Sequence, residues 1–208
     1  MTEKNLTVIV AHDYICPWCW VGWFQAERLK REFPQLSFDW RGYELNPEGR
    51  FELKPFTGPK PRDPSRPLSR FELHAQCEGV PYNPFRTIGS IRSHNALEGA
   101  EYAKEQGVEP FERYNEAVYR AYWEAMRDIS DIGVLKEIAA GAGLNPEDFA
   151  KAVAEKRYND KIVPFNEEAY ADGITHVPTF RYRGEQAAEA PYSTLRDLTQ
   201  RFLVWYDK

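Results

Sequence analysis

Two cysteines three residues apart stand where a predicted strand gives way to a predicted helix, and this junction limits the folds open to the chain. Residues 5–15, NLTVIVAHDYI, are rich in β-branched side chains, which is typical of a buried strand. From Pro17 to Phe33, large apolar side chains recur at helical spacing, and proline is favoured at the first helical position. Cys16 and Cys19 therefore begin a helix that directly follows a strand.

This position predicts reactive thiols. Unpaired backbone N–H groups and the helix dipole stabilise a thiolate at a helix N-terminus, and the thiolate is the nucleophilic form of cysteine. A spacing of three in a helix puts both side chains on one face, within disulfide reach. Cys16 is thus the candidate attacking thiol. Cys19 is the candidate resolving thiol, which would release a substrate from a mixed disulfide.

The same cysteines allow two other interpretations. They could pack in a core, since cysteine is often buried, although the strand-to-helix junction argues against this. They could also bind zinc, because His74 and Cys77 repeat the spacing and would complete a Cys3His set. Zinc ligands usually lie in short loops and not at the start of a long helix. Cys77 by itself is expected to be a bystander on a helix.

The rest of the chain predicts a small mixed sheet interrupted by helices. We expect a second strand over residues 36–45, a proline-rich loop without regular structure over 46–67 and helices without a convincing strand over 68–157. A helix over 159–172, kinked or delayed in its start by Pro164, is followed by strands at 177–184 and 185–190 and by a closing helix over 192–206. A sheet with a helical insertion is the simplest assembly of these elements.

Composition narrows the function classes. The net charge is −5 at pH 7, which argues against nucleic-acid and anionic membrane partners. No apolar run approaches the length of a membrane span, and the run at residues 8–11 is too short for a signal-peptide core. We therefore expect a soluble cytoplasmic protein, in which a close cysteine pair is more often catalytic or metal-binding than structural.

A second motif lies far along the chain. GITHVPTF, residues 173–180, places Pro178 directly before a predicted strand, at an X-Pro bond where a cis peptide is eligible. A strand, then CPWC on a helix, then a late Val-Pro-Thr strand resembles the DsbA-like branch of the thioredoxin fold. DYICPWCWVG, YELNP and GITHVPTF together look most like its FrnE-like subgroup of dithiol oxidoreductases.

The resemblance covers nearly the whole chain and implies an α/β protein with a thioredoxin-like fold and an inserted all-helical domain. Residues 1–62 and 158–208 would form the thioredoxin-like domain, and residues 63–157 would form the insertion. In such proteins the proline that corresponds to Pro178 is cis and lies against the cysteine pair. The backbone of Val177 would pair with an extended substrate strand.

Further site residues follow from proximity to these motifs. Pro17, Trp18 and His176 are candidate substrate-binding residues, together with Val177, whereas Trp20 and Trp23 are expected to pack in the core. His12 and Asp13 end the first strand and are candidates for a proton shuttle, because an ordinary histidine titrates near neutrality. His12 could equally be hydrogen-bonded in the sheet edge, and Asp13 could equally be a capping group.

The expected activity is thiol–disulfide exchange between the Cys16–Cys19 pair and a protein or small-molecule disulfide, with no tightly bound cofactor and with glutathione or another thiol as partner. Trp18 stands where periplasmic relatives carry a histidine, so we expect a weaker oxidant. The alternative is a glutathione-dependent isomerase or transferase of the 2-hydroxychromene-2-carboxylate isomerase or kappa-class type. Those proteins typically have serine in place of Cys16 and lack the second cysteine.

Overall fold

The computed structural model describes residues 6–50, 52–53, 59–61, 63, 65–82, 85–87 and 91–206 of the chain. Its strands are β1 (Leu6–His12), β2 (Leu36–Glu44), β3 (Pro59–Pro61), β4 (Phe85–Thr87), β5 (Val163–Pro164), β6 (Thr179–Arg181) and β7 (Gln186–Ala188). Its α-helices are α1 (Pro17–Glu32), α2 (Arg70–Cys77), α3 (His94–Glu105), α4 (Val108–Trp123), α5 (Ile132–Gly141), α6 (Pro146–Ala154), α7 (Glu167–Ala171) and α8 (Tyr192–Tyr206).

Five strands form one mixed sheet in the order β5-β2-β1-β6-β7, and β3 pairs with β4 apart from it. β1 lies in the middle, and its alternate residues Val8 and Val10 are completely buried. β1 runs parallel to β2 and antiparallel to β6, with Ala11 opposite Thr179. The end of β1 and the start of β6 consequently meet at one edge of the sheet.

α4 is joined to this edge by three hydrogen bonds. The Tyr119 hydroxyl lies 2.9 Å from His12 Nδ1, and the Tyr14 hydroxyl donates to Asn115 Oδ1 at 2.9 Å. The Trp123 indole N–H donates to the Tyr14 carbonyl at 2.9 Å. Buried polar groups require such partners, and α4 supplies them for the residues at the end of β1.

The structure confirms the α/β thioredoxin-like fold, with helices α2–α6 inserted between β2 and β5. α1 begins at Pro17 as predicted, and Trp20 and Trp23 are core residues. Among the described residues, no helix is both long and apolar enough to cross a membrane. The domain limits at residues 62/63 and 157/158 stay predictions.

The expectation that residues 46–67 contain no regular structure and that residues 68–157 contain no strand is wrong. β3 and β4 form a short antiparallel pair, in which Lys60 lies opposite Arg86. Proline is tolerated in a strand at a sheet edge, and each strand here has one neighbour. The two segments find each other only through the fold, so local patterns do not predict the pairing.

The helix expected over residues 159–172 is present only after Pro164, as α7. The segment contains a 3-10 turn (Asn159–Lys161), then β5, then the short helix α7, which Asn166 caps. Pro164 lacks the N–H that an α-helix interior needs. Pro164 lies instead in β5, the strand at the edge of the sheet, opposite Glu44 of β2.

We expect Gly99→Ala to destabilise the protein by about 1–3 kcal/mol, the usual cost of overpacking a core. A β-carbon on Gly99 would lie 2.2 Å from Tyr114 Oη and 2.5 Å from Phe149. Urea denaturation measures the change. In the control Gly141→Ala, the added carbon has no atom within 4 Å, and alanine should be neutral or stabilise by up to about 1 kcal/mol. Equal losses in both variants would contradict the close packing at Gly99.

Candidate active site

Cys16 is the residue that caps α1. Its backbone is extended, with φ −77° and ψ 120°, and its Sγ accepts a hydrogen bond from the Cys19 N–H at 3.4 Å. The positive end of the helix dipole therefore faces the Cys16 sulfur. Both cysteines are free thiols, with Cys16 4% and Cys19 0% exposed. Substrate can thus approach Cys16 more readily than Cys19.

The loop before β6 contacts Cys16. The Cys16 thiol donates a hydrogen bond to the Val177 carbonyl at 3.1 Å. The Val177–Pro178 peptide bond is cis, and Pro178 rests on Gly22 of α1, where an added β-carbon would lie 2.9 Å from Pro178 Cγ. Glycine at this position lets the loop approach the helix. His176 is in the same loop and is exposed.

Trp18 is the second residue of α1, after the half-buried Pro17, and its side chain packs against α2. Its ring contacts the rings of Phe71 and His74, at centroid distances of 6.0 and 5.0 Å. The Arg70 guanidinium lies 4.9 Å from the Trp18 ring centroid, within the range of a cation–π contact. α2 therefore supplies one wall beside the cysteine pair, which the sequence analysis did not anticipate.

Asp13 is completely buried, and its backbone carbonyl accepts a hydrogen bond from the Cys16 N–H at 3.2 Å. Its carboxylate accepts hydrogen bonds from the Leu45 N–H at 2.7 Å and from the Ile15 N–H at 3.2 Å. Burial raises the pKa of Asp13 to about 6, against the effect of these hydrogen bonds. Burial, with a smaller effect of Cys16, also raises the pKa of Cys19 well above its usual range. Asp13 acts on this pKa in both directions, because a hydrogen bond with its backbone lowers the pKa and its charge raises it.

The expectation that His12 titrates near neutrality is wrong. Burial, with a smaller effect of the Lys104 charge, lowers the pKa of His12 to about 3. Its Nδ1 is paired with the Tyr119 hydroxyl, and its ring packs edge-on against Trp40 at 5.1 Å. His12 is therefore a neutral core residue bonded to a tyrosine and not to either thiol.

The structure does not gather the four residues of the zinc interpretation. Cys16, Cys19, His74 and Cys77 all belong to the part of the chain that the structure describes, where no group of three or more His, Cys, Asp or Glu side chains is arranged to hold a metal ion. His74 packs against Trp18, and Cys77 is exposed at the end of α2. The four residues are not gathered as a ligand set.

A group of ionisable side chains that sequence analysis missed joins β2 to α3. His94 Nδ1 lies 2.9 Å from Glu44 Oε2, and His94 Nε2 lies 3.5 Å from Glu98 Oε1. The hydrogen bond with Glu44 and the nearby carboxylate of Glu98 raise the pKa of His94 to about 9, so it is cationic at neutral pH. His94 and Glu98 are four residues apart on α3, a spacing that brings side chains together on a helix, but Glu44 is 50 positions away and no local pattern indicates that it joins them.

A cavity of about 1370 Å³ opens beside Glu44 and His94, and neither cysteine lines it. Cavity size is a useful default indicator of a binding site. Here the reactive groups lie elsewhere, because the thiols, the helix N-terminus and the loop at Val177 converge on Cys16. We therefore take the surroundings of Cys16 as the candidate active site.

The buried His12 makes stability depend on pH. Its folded-state pKa, about 3, is below the ordinary value of 6.5, so its contribution to stability is lost as the pH falls from about 6.5 towards 3. Asp13 acts in the opposite direction, because its folded-state pKa of about 6 exceeds the ordinary 3.8 and its contribution is lost as the pH rises through 6. A variant is needed to separate the two.

Between pH 7 and pH 5, the free energy of unfolding of His12→Gln should fall by about 2 kcal/mol less than that of the wild type, from the shifted pKa of His12 alone. Urea denaturation at the two pH values measures the difference. His176→Gln is the control, because it removes an imidazole at an exposed position and should keep the wild-type dependence. A His12→Gln variant that also keeps the wild-type dependence would contradict the neutral, buried state of His12.

Comparison with known proteins agrees with this geometry. The solved structure of a probable DsbA oxidoreductase from Streptomyces coelicolor matches this chain with a TM-score of 0.74 at 24% identity, and the match covers 98% of this chain and 91% of that one. A 2-hydroxychromene-2-carboxylate isomerase matches with a TM-score of 0.65 at 14% identity, over 97% and 98%. A cytosolic disulfide reductase, DsbM from Pseudomonas aeruginosa, solved with GSH, matches with a TM-score of 0.58 at 17% identity, over 94% and 100%. These matches show a shared fold.

Sequence comparison gives the family. The uncharacterized protein YwbO of Bacillus subtilis is 29% identical over 175 residues, which are 82% of this chain and 84% of that protein. The model of the DSBA-like thioredoxin domain matches residues 7–198, nearly the whole chain. The described site, with a cysteine pair that opens a helix after the central strand, lies within that match. The chain belongs to the DSBA-like thioredoxin domain family.

Proposed function

We propose that the protein is a dithiol–disulfide oxidoreductase that works through the Cys16–Cys19 pair. The observation that carries the proposal is the position of Cys16, which caps α1, accepts the Cys19 N–H and lies 3.1 Å from the Val177 carbonyl. A thiolate at this point is stabilised by the helix N-terminus. Family membership supports an enzyme of the thiol-oxidoreductase kind.

In the proposed reaction, Cys16 loses its proton to solvent and attacks one sulfur of a substrate disulfide. The substrate S–S bond breaks, a mixed disulfide forms at Cys16, and the first substrate thiol leaves with a proton from solvent. Cys19 then attacks the Cys16 sulfur and expels the second thiol. The substrate disulfide gains two electrons, and the pair becomes a Cys16–Cys19 disulfide. The reverse sequence oxidises a substrate dithiol.

Asp13 is proposed as the group that takes the Cys19 proton. Cys19 is completely buried, so solvent does not reach its thiol directly. Asp13 is equally buried and influences the pKa of Cys19 through its backbone and its charge, and its own pKa of about 6 lets it be ionised at neutral pH and still accept a proton. His12 is not proposed for this step, because it is paired with Tyr119.

The proposed substrate surface includes Pro17, Trp18 and the loop at His176 and Val177. Trp18 is half-buried and belongs to the wall beside the pair, and His176 is exposed. An extended substrate would pair with the Val177 backbone next to the cis Pro178. Pro178 is proposed to hold this loop against α1 at Gly22.

The proposed partners are protein or small-molecule disulfides, with glutathione or another thiol to regenerate the pair. The related fold of DsbM was solved with GSH and is described as a cytosolic disulfide reductase, which supports a thiol partner and is consistent with the predicted cytoplasmic location. Membership of the FrnE-like subgroup stays a prediction based on the CPWC, YELNP and HVPTF segments.

A second candidate is a glutathione-dependent isomerase or kappa-class transferase acting on a small hydrophobic molecule. The fold shared with 2-hydroxychromene-2-carboxylate isomerase supports it. The resolving thiol Cys19 has no function in such a reaction, so the intact pair favours the redox activity. Glutathione-dependent turnover of a small molecule without any dithiol–disulfide transition would favour the second candidate.

We expect Cys19→Ala to accumulate a mixed disulfide at Cys16 when incubated with oxidised glutathione, because the second attack is removed. Intact-mass spectrometry would detect the adduct, and Cys16→Ala is the control that should form none at this pair. In glutathione redox buffers the wild-type pair should show one two-electron transition, at a potential more negative than the roughly −120 mV of DsbA, since Trp18 supplies no positive charge. An adduct at Cys77 alone would contradict the proposal.

We expect Asp13→Asn to slow the second step, release of the substrate by Cys19, at least about tenfold, in line with loss of a general base. Rapid-mixing measurements of mixed-disulfide decay should show a rate that rises through about pH 6 in the wild type and loses this inflection in the variant. Asp39→Asn, which removes a carboxylate paired with Arg41, is the control. Slowing without loss of the inflection would indicate a merely structural role of Asp13.

A further inference from the structure

An ion pair crosses the surface beside the candidate active site. Arg70, at the start of α2, lies with its Nη2 3.6 Å from Glu189 Oε2. Glu189 is held next to the cis-proline, because its N–H donates to the Pro178 carbonyl at 3.1 Å, and its backbone has a positive φ of 45°. Positive φ is uncommon for residues other than glycine, so the position of Glu189 is determined by the loop and its hydrogen bond to Pro178, and not by the local preference of glutamate. Both charges therefore adjoin the residues that contact Cys16.

The two partners differ in their access to solvent. The Arg70 side chain is 78% exposed, whereas the Glu189 side chain is 19% exposed. At 3.6 Å the contact is too long for a hydrogen bond, and a solvent-exposed ion pair contributes little free energy. An incoming carboxylate can thus replace Glu189 as the partner of Arg70 at small cost. An incoming cation reaches the recessed Glu189 less easily.

Arg70 is also held against Trp18, near the start of α1. Its guanidinium lies 4.9 Å from the ring centroid of Trp18, and that ring in turn packs against Phe71 and His74. Trp18 is two residues from Cys16. A cation that is stacked on a ring keeps its direction at little entropic cost and presents donors suited to a carboxylate. The accessible charge beside Trp18, two residues from the attacking thiol, is therefore positive and oriented.

We propose that Arg70 selects disulfides that carry a carboxylate, exchanging its ion pair with Glu189 for one with the substrate while Cys16 attacks the sulfur. The proposal rests on the disulfide exchange inferred above and names its substrate class. Peptidyl disulfides with free carboxylates, of which oxidised glutathione is an example, have the required chemistry. The chain as a whole is acidic, with a net charge of −5, so a local cation is needed to draw such substrates to the thiol.

The test compares three disulfides of different charge in single-turnover reactions with the reduced full-length protein. Oxidised glutathione is anionic, cystamine is cationic and hydroxyethyl disulfide is neutral. Loss of protein thiols is followed by acid quench and mass spectrometry, and each rate is divided by the rate with the neutral disulfide. We expect Arg70→Gln to lower this ratio for oxidised glutathione about threefold to fivefold, the size of effect typical of exposed charges, and to raise it for cystamine.

Further variants separate charge from structure. Arg70→Lys should keep most of the preference for oxidised glutathione, and Glu189→Gln should increase it, because the competing carboxylate is gone. Arg31→Gln is the matched control: it makes the same charge change at an exposed site near the far end of α1, roughly 20 Å along the helix from Cys16. The differences should nearly vanish in about 1 M salt, where the Debye length is about 3 Å.

An equal effect of Arg70→Gln on all three disulfides, or an equal effect of Arg31→Gln, would overturn the role of Arg70 and leave the proposed oxidoreductase activity standing. A preference for cystamine in the wild type would do the same and assign the dominant charge to Glu189. If none of the three disulfides oxidised the Cys16–Cys19 pair, the oxidoreductase activity itself would be refuted together with the role of Arg70.

Discussion

The pairing of β1 with two neighbours determines where the chemistry of this protein lies. β1 runs parallel to β2 and antiparallel to β6, and Ala11 lies opposite Thr179. Because of this register, the residues that follow β1 and those that precede β6 meet at one edge of the sheet. The thiol of Cys16 and the carbonyl of Val177 come within 3.1 Å across 161 positions of sequence. Neither motif alone would form a site.

The same edge buries ionisable groups with opposite consequences. Asp13 is desolvated until its pKa approaches neutrality, which makes a carboxylate suitable for exchanging a proton near the pair. His12, its neighbour, is desolvated until it no longer titrates in the physiological range. Both side chains are completely buried, and burial disfavours the charged form of each, so it raises the pKa of the acid and lowers that of the base. The carboxyl of Asp13 is therefore brought into the range where it can exchange a proton, and the imidazole of His12 is taken out of it.

Local patterns were enough to predict part of this structure. The strand before Cys16, the helix that begins at Pro17 and the strand after Pro178 each depend on neighbouring residues, and all three are present. Contacts between distant segments were not predictable. The β3–β4 pair, the strand at Pro164 and the stack of Arg70 on Trp18 depend on tertiary partners. The lowered pKa of His12 was not predictable for the same reason, because its cause is burial in the folded state.

The hydrogen bonds from α4 to the end of β1 mean that the helical insertion is not a detachable module. Tyr119, Asn115 and Trp123 satisfy polar groups of His12 and Tyr14 that are buried at the sheet edge. A chain trimmed to its thioredoxin-like segments would expose each of these groups or leave it without a hydrogen-bond partner, a few residues before the cysteine pair. Relatives that lengthen, shorten or exchange the insertion are therefore constrained at this helix. Variation in the surrounding helices can alter the substrate surface, while α4 has to keep its polar face toward β1.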